Sequence, residues 1–566
     1  MSQILIICLG IIVYSGTFGG PFHFDDIPSI VNNPAIRNIH DLLGIWNFLP
    51  RRFILYLSLA LNYHFSGLNV YGYHLFNLAV HLGCALLVWW LTGMTFLTPV
   101  MKEEKISRYG GVLALFAGLI FVAHPLQTQA VTYVVQRAAS MAGFLYLASL
   151  CLYVRSRLLR SSTRKYYYIG AWVAAIAAMF TKETAITLPL MMGLYEFSFF
   201  KQKGKVNWKY PAPFLLALLI IPVIILFTET GPVRLQQLYR EPGILPTHYL
   251  LTQFRVMLTY IRLLFLPLNQ NLDYDYPLSK SIFELPVVIS LLFLAAIFFG
   301  AKRLFLRYRL AAFSICWFFL TLMPESSILP IKDVINEHRL YLPMAGYSLL
   351  LIGGGYYLIG KHSMRIMTIV LLMVIAGYSF LTYQRNKVWD SELALWNDTA
   401  EKSPHKARPQ YNRGHSFDKK NKFALAIADY NKAIELDPDY ADAYYNRGLI
   451  YVRQNNLVQA VADFTRTIEI NANFAGAYNN RGIIFAFHGD LDRAAGDFLK
   501  AIAIDPGYAE AYCNLGNIYF DQGHLIRAIL NYKKAINIDP ADKDAYDNLA
   551  IAYTQLKQMH QETNEK

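Results

Sequence analysis

Two adjacent carboxylates, Asp25 and Asp26, stand in the run Phe22-His23-Phe24-Asp25-Asp26-Ile27-Pro28, just past an apolar stretch that closes in Gly19-Gly20-Pro21. Side by side at the edge of a low-dielectric layer, two carboxylates repel each other and lose solvation. At least one pKa rises, which suits a general base or a site for a cation. The plainer reading is that they cap the next segment and mark a membrane interface. Other charges stand beside apolar runs in the same way: His124, Arg137, Lys182, Glu183, Glu337, His338 and Arg339. Each alone reads as a capped helix end or a snorkelling ion pair, because charge at membrane depth is costly and is kept where it is used. Gathered in one cavity, they suit chemistry on a phosphorylated lipid headgroup. Cations would stabilise the leaving phosphate while a carboxylate takes a proton from an acceptor hydroxyl.

The elements that must position these groups are membrane helices. The chain has 566 residues, 55% of them hydrophobic and 16% charged, which is too apolar for a soluble globular protein of this size. Residues 1–403 hold 33 Lys and Arg against 19 Asp and Glu, whereas the remainder holds 19 against 20. The positive excess therefore belongs to the membrane half, where it suits loops on an anionic membrane surface and not nucleic acid. Five scattered cysteines, without CxxC spacing, point to packing and to neither a disulfide frame nor a metal site.

Apolar runs predict a first span over 4–14, interfacial amphipathic helices over 41–68, and spans near 71–97, 110–123, 128–153, 166–181, 184–200, 210–228, 284–300, 310–323, 343–360 and 366–383, eleven in all. Alternate connections carry the cations: Lys102/Lys105/Arg108, Arg155 to Lys165, Lys201/Lys203/Lys205/Lys209, Lys302 to Arg309, and Lys361/Arg365. The positive-inside rule puts these loops and the N-terminus in the cytoplasm. Asp25-Asp26, His124, Lys182-Glu183, the loops 229–283 and 324–342, and everything after residue 384 are then expected on the outer face.

The tail repeats with a period of 34. Asn412, Asn446, Asn480, Asn514 and Asn548 fall in register, followed by Gly414, Gly448, Gly482 and Gly516, then Ala426, Ala460, Ala494 and Ala528, with Pro438, Pro506 and Pro540 ending units. This is the pattern of a tetratricopeptide-repeat solenoid, four full units and a partial fifth. The expected division is a membrane domain over 1–383, a linker over 384–403 and repeats over 404–566. An Asn amide both donates and accepts, so five at fixed spacing would form a ladder able to grip an extended peptide, as in the superhelix of the O-GlcNAc transferase family, which the array resembles. The alternative is that this Asn merely suits consensus repeats.

Phe24-Asp25-Asp26, Gly67-Leu68-Asn69, Gly72-Tyr73-His74-Leu75-Phe76-Asn77 with His81, Ala123-His124-Pro125, Val135-Gln136-Arg137, Thr181-Lys182-Glu183 and Glu337 to Pro343 follow one another in this order. As an ordered set they resemble the transmembrane and tetratricopeptide-repeat O-mannosyltransferases and their bacterial relatives, enzymes of the GT-C fold. The resemblance implies an inverting, metal-independent transfer of one sugar, mannose foremost, from a polyprenyl phosphate sugar to a protein hydroxyl, without a bound cofactor. It places the catalytic acidic pair on Asp25 and Asp26; Asp25 is taken as the base and Asp26 as the group that orients or tunes it, the reverse order staying open. Arg137, Lys182 and Arg339, then Arg52 and His338, become the donor-phosphate candidates, and His124, Glu183 and Glu337 further polar members. Where eukaryotic members carry a second His and a Glu after the His-Pro pair, this chain has Gln127 and Gln129, and Ala138-Ala139 replaces an acid usual soon after the Arg. The stretch Asn269 to Tyr276 spells Asp273-x-Asp275, which reads here as an acceptor-facing loop because of its tyrosines.

The expected partners are membrane lipids, the lipid-linked sugar and an acceptor protein on the repeats, with no nucleic acid, and the compact loops suit a bacterial inner membrane. Two other functions stay open: a sugar transferase acting on a glycan or lipid, and a non-enzymatic membrane scaffold.

Overall fold

The structure is a computed structural model describing residues 1–201, 205–228, 244–327 and 329–564, without side chains for Thr228 and 562–564. Two compact units divide it, Met1–Lys402 and Ser403–Lys566. Lys203 and the first part of the loop 229–283 lie outside the described residues.

The first unit is helical. Among the described residues five helices are long and apolar enough to cross a membrane: Val70–Phe96, Lys105–Ala123, Val134–Leu158, Leu285–Arg307 and Met364–Trp389. Shorter apolar helices cover Ser2–Val13, Ala212–Phe227 and Arg309–Leu322. We call the first helix α1 (Ser2–Val13), and then α2 (Phe53–Ser66), α3 (Val70–Phe96), α4 (Gly110–Ala123) and α5 (Arg137–Leu158). Glycines let them approach closely, as is usual between membrane helices. A Cβ on Gly118 would come within 2.6 Å of Ile6, and one on Gly83 within 2.7 Å of Phe144. The Gly67-Leu68-Asn69 run acquires a local cause. Gly67 ends α2 at φ +54°, where a side chain is strained, and Asn69 caps α3 by accepting the Tyr71 N–H at 3.1 Å.

Three expectations shift. The span expected over 128–153 begins about nine residues later, at Arg137, because buried Gln127, Thr128, Gln129 and Thr132 keep the preceding stretch a polar loop of short helical turns. The loop 229–283 contains a 20-residue helix, α6 (Pro246–Phe265), whose Thr252, Gln253 and Arg255 dilute its hydropathy while Tyr249, Val256, Tyr260 and Leu263 pack inward. Of residues 384–403, expected as a linker, 384–402 continue the membrane unit through Trp389 and a helix over Glu392–Lys402, with Trp389 and Trp396 buried beside Tyr133 and Leu272.

The second unit stacks helix pairs: Ala407–Asp418 with Phe423–Leu436, Ala441–Arg453 with Leu457–Ile470, Ala475–Phe487 with Leu491–Ile504, and Ala509–Asp521 with Leu525–Ile538, closed by Lys543–Asn564. The register glycines do as their size requires. A Cβ on Gly448 or Gly482 would lie 2.9 Å from Phe464 or Phe498, and one on Gly516 2.6 Å from Tyr532.

Candidate active site and repeat array

The acidic pair is split by its backbone. Phe24 has φ +41°, and the Asp26 N–H returns to the His23 carbonyl at 2.8 Å. This turn leaves Asp25 exposed and Asp26 fully buried. Asp26 accepts the His23 N–H at 3.0 Å and, across the unit, the Val135 N–H at 2.7 Å. Burial pushes its pKa up to about 7, with the Asp25 charge adding and those N–H bonds opposing. The Asp25 N–H donates to the Tyr133 hydroxyl at 2.8 Å, and that hydroxyl also bonds the Asp25 side chain. Burial, then the two carboxylates, hold the Tyr133 pKa well above its ordinary value, so Tyr133 stays a donor. Its ring stacks on Trp389, whose carbonyl accepts from His23 Nε2 at 2.9 Å.

The membrane helices hold this turn through the residues of the Gly72–His81 motif. His74 Nε2 donates to the Gly20 carbonyl at 2.9 Å, and Asn77 Nδ2 to the Val131 and Val134 carbonyls at 3.0 and 3.3 Å. Arg137, fully buried, spends its guanidinium on Asn77 Oδ1 (2.6 Å), the Ser58 carbonyl (3.2 Å) and the Tyr73 carbonyl (3.1 Å), and lies over the Phe76 ring. This is a correction to the donor-phosphate set: the nitrogens of Arg137 brace α2, α3 and α5 at the loop, and protein carbonyls already occupy them.

Three other phosphate candidates do come together. Lys182, His338 and Arg339 line one cavity of ≈ 20 Å³ with Glu325, against Ala139 and Gly143 of α5. Lys182 Nζ pairs with Glu325 at 2.8 Å. His338 donates its backbone N–H to Gln129 Oε1 at 2.6 Å, and its ring Nδ1 is buried without a hydrogen-bond partner. Burial, then the charges of Lys182, Arg339 and Arg52, hold this imidazole neutral, well below its ordinary pKa. Arg339 is anchored on the Val334 and Asp333 carbonyls at 3.0 and 2.7 Å, and the neighbouring tyrosines Tyr260 and Tyr249 outweigh its burial and raise its pKa. Arg52, whose charge reaches His338, pairs with Glu183 through two nitrogens at 3.2 and 3.3 Å, and Arg51 adds a third contact. Burial pushes the Glu183 pKa up, but the two arginines outweigh it and hold it at about 2.

His124 and Glu337 act as braces. His124 Nδ1 accepts the Leu126 N–H and Nε2 donates to the Leu264 carbonyl at 2.9 Å, clamping the end of α6. Buried Glu337 accepts from Gln270 Nε2 (2.8 Å), the Asn271 N–H (2.6 Å) and the Tyr274 hydroxyl (2.7 Å). The Asp273-Tyr274-Asp275 stretch is therefore tied down from within. Its tyrosines point inward, against the expectation of an acceptor surface, with Tyr274 on Glu337 and Tyr276 beside Thr259 and Arg255.

Sequence reasoning passed over Tyr133, Glu325 and the partner role of Gln129. Glu325 had a usable signal: like Lys182-Glu183, it is a charge directly beside an apolar run. Tyr133 had none, since an unpaired Tyr in a loop is common.

In the array the Asn ladder turns partly inward. Asn446 donates to the Tyr411 hydroxyl at 2.7 Å, Asn480 to Tyr445 at 3.0 Å and Asn514 to Asn479 at 3.0 Å, each 35 residues back in the preceding unit. Asn548 donates to Asn517 at 3.0 Å and Asn412 to the Arg408 carbonyl at 2.9 Å. The donor half of each amide thus stays within the array. A second ladder was missed: Arg413–Asp429, Arg447–Asp463 and Arg481–Asp497 form two-pronged pairs of 2.7–2.9 Å inside successive units.

These features define a class: a multi-helix membrane protein that gathers an acidic turn and a cationic cavity from its loops, followed by a tetratricopeptide-repeat array. A family model described as "TPR repeat" matches residues 414–455, 488–523 and 516–557, and one described as "Tetratricopeptide repeat" matches 441–474. The chain is similar to "Protein O-mannosyl-transferase F38B6.6" of Caenorhabditis elegans (26% identical, 73% of this chain, 59% of the relative) and to "Protein O-mannosyl-transferase TMTC3" of Homo sapiens (24%, 72% and 48%). A 229-residue stretch is 30% identical to "Protein O-mannosyl-transferase tmtc2" of Xenopus laevis, covering 36% of this chain and 25% of the relative. The chain thus spans about half the length of the curated relatives it matches. Among solved structures it is similar over 34% of its length to "YrrB: a TPR protein with an unusual peptide-binding site" (24% identical, 96% of that chain, TM-score 0.25) and over 26% to the MamA protein (25%, 81%, TM-score 0.24).

Proposed function

We propose that this chain is a GT-C type membrane glycosyltransferase that moves one sugar, mannose foremost, from a polyprenyl phosphate sugar to a hydroxyl of a protein, at the outer face of a bacterial inner membrane. The observation that carries the reading is the split acidic pair: one carboxylate is offered outward while the other is locked beneath it. Asp25, exposed and held by Tyr133, takes the proton of the acceptor hydroxyl. The acceptor oxygen bonds to the anomeric carbon from the face opposite the phosphate, and the carbon–oxygen bond to phosphate breaks with its electron pair leaving on the phosphate. Lys182, Arg339 and the neutral His338 ring meet that charge. A cavity of ≈ 20 Å³ takes a water and not a phosphate, so the donor enters by replacing Glu325 on Lys182. Asp26 touches no substrate and fixes the turn. The relatives' printed names support the choice of sugar and acceptor, and the repeats, with the acceptor half of their Asn amides in hand, present the protein.

The test uses purified chain with radiolabelled polyprenyl phosphate monosaccharides and a cell-envelope extract. Label in protein bands, lost in Asp25→Asn and insensitive to chelator, is the expected result. Label entering only lipid or glycan moves the assignment to a transferase of another acceptor. Donor consumption that is equal in wild type, Asp25→Asn and Asp26→Asn, or absent from all three, overturns the reading.

A further inference from the structure

Far from Asp25 the membrane unit holds a second charged feature that the proposed reaction does not use. Helix α3 meets the acidic turn through His74 and Gly20 and ends 22 residues later at Phe96, about 33 Å away at 1.5 Å per residue. Just past that end, from Pro99 onward, opens a cavity of ≈ 1080 Å³, slightly larger than the sizes usual for small organic ligands. Four separate connections send cations into it: Lys102 and Lys105, Lys201, Arg309, and Lys361. Among the described residues none of these four lysines is held in an ion pair, and Arg309 spends one nitrogen on the Ser198 carbonyl. Glu103 and Glu104 share the rim and leave the cations in excess.

Positive loops need only face an anionic surface. Four loops converging on one cavity is a stronger arrangement, because like charges brought together repel unless an anion joins them. The wall also says what kind of anion. Leu306 lines the cavity and is 87% exposed, and Leu358, in the turn that supplies the lining rings Tyr356 and Tyr357, is 78% exposed. A basic recess beside bare leucines at the end of membrane helices matches a molecule with a charged head and apolar chains.

We propose that this cavity binds the phosphate-bearing headgroup of an anionic glycerophospholipid, with its acyl chains along Leu306 and Leu358. The site is independent of the glycosyltransferase reading.

The full chain in mild detergent is titrated with phosphatidylglycerol, phosphatidylcholine or inorganic pyrophosphate and followed by native mass spectrometry. The Lys105→Gln/Lys361→Gln pair is compared with Lys302→Gln/Arg303→Gln, an equal charge change at residues exposed on the Leu285–Arg307 helix and outside the cavity lining. Phosphatidylglycerol is expected to bind about tenfold more tightly than phosphatidylcholine, to lose about tenfold in the first pair and to be unchanged in the second. Lys105→Arg/Lys361→Arg restores binding, which separates charge from folding. Equal loss in both Gln pairs, or no preference for phosphatidylglycerol, overturns the proposal. Pyrophosphate binding more tightly than the lipid, and lost in the first pair alone, reassigns the cavity to a soluble polyphosphate and also overturns it.

Discussion

In the membrane unit the polar contacts that join distant parts of the chain are each made once; in the array the same contact recurs every 34 residues. Asp26 reaches Val135, Arg52 reaches Glu183 and Glu337 reaches Asn271, pairs 109, 131 and 66 residues apart. Arg447 pairs with Asp463, 16 residues on, and reaches Asn431, 16 residues back, while its neighbours Arg413 and Arg481 repeat the pair with Asp429 and Asp497. Singular long-range contacts cannot be replaced by a neighbour, whereas repeated short-range ones share the load. The membrane unit should therefore respond to single substitutions with large, global effects and the array with small, local ones.

The largest effect is expected at Asp25. Replacing it with Asn removes the proposed base and lowers turnover about 10³-fold in the labelled-donor assay, with little change in thermal stability because the side chain is exposed. Lys182→Ala comes next, with about a 10²-fold loss expressed chiefly in kcat, since the phosphate charge grows as the bond breaks. Tyr133→Phe frees the Asp25 carboxylate of its hydroxyl and is expected to cost about tenfold and to shift the acid limb of the pH–rate profile, which a purely structural loss would leave in place.

Glu337→Ala is expected to destabilise the membrane unit by about 3 kcal/mol, because three donors lose one buried acceptor. Arg447→Ala is expected to cost about 2 kcal/mol, because buried Asp463 loses both prongs, and to be seen as faster amide exchange in that unit and its neighbours alone. A global collapse from Arg447→Ala, or a purely local response to Glu337→Ala, would break the comparison.

The pH dependence of stability sharpens it further. Asp26 keeps a proton up to about pH 7 when folded, against about 3.8 when unfolded. Between these values the folded chain holds more protons, so stability falls as pH rises and the loss is complete above about 7. Asp26→Asn is expected to flatten that slope in melting curves taken from pH 5 to 8, while lowering stability throughout by losing one N–H acceptor.

What the sequence made legible follows from the range of each cause. Period and composition act locally, so the 34-residue units, the glycine contacts and the long apolar helices could be read directly. Helix α6 escaped because Thr, Gln and Arg interrupt its apolar face, and Arg137 was assigned by charge alone, though its fate depended on carbonyls from α2 and α3. Lys182, His338 and Arg339 line one cavity, and each was visible as a charge with an apolar run beside it, a cost that demands a reason wherever the chain folds. Tyr133 and the Glu325 partner of Lys182 are decided by tertiary packing, which no spacing records.

The Arg–Asp ladder stops one unit early. Where the period calls for a fourth pair the chain has Leu515 and Asn531, and the Asn531 amide turns back on its own helix to the Arg527 carbonyl. Under tension the array is a chain of links whose last is fastened by Leu515 packing and the Tyr532–Asn517 hydrogen bond in place of an ion pair. Pulled from its C-terminal end, the array is expected to lose the closing helix Lys543–Asn564 and then this pairless hairpin, while the three charged units stay folded.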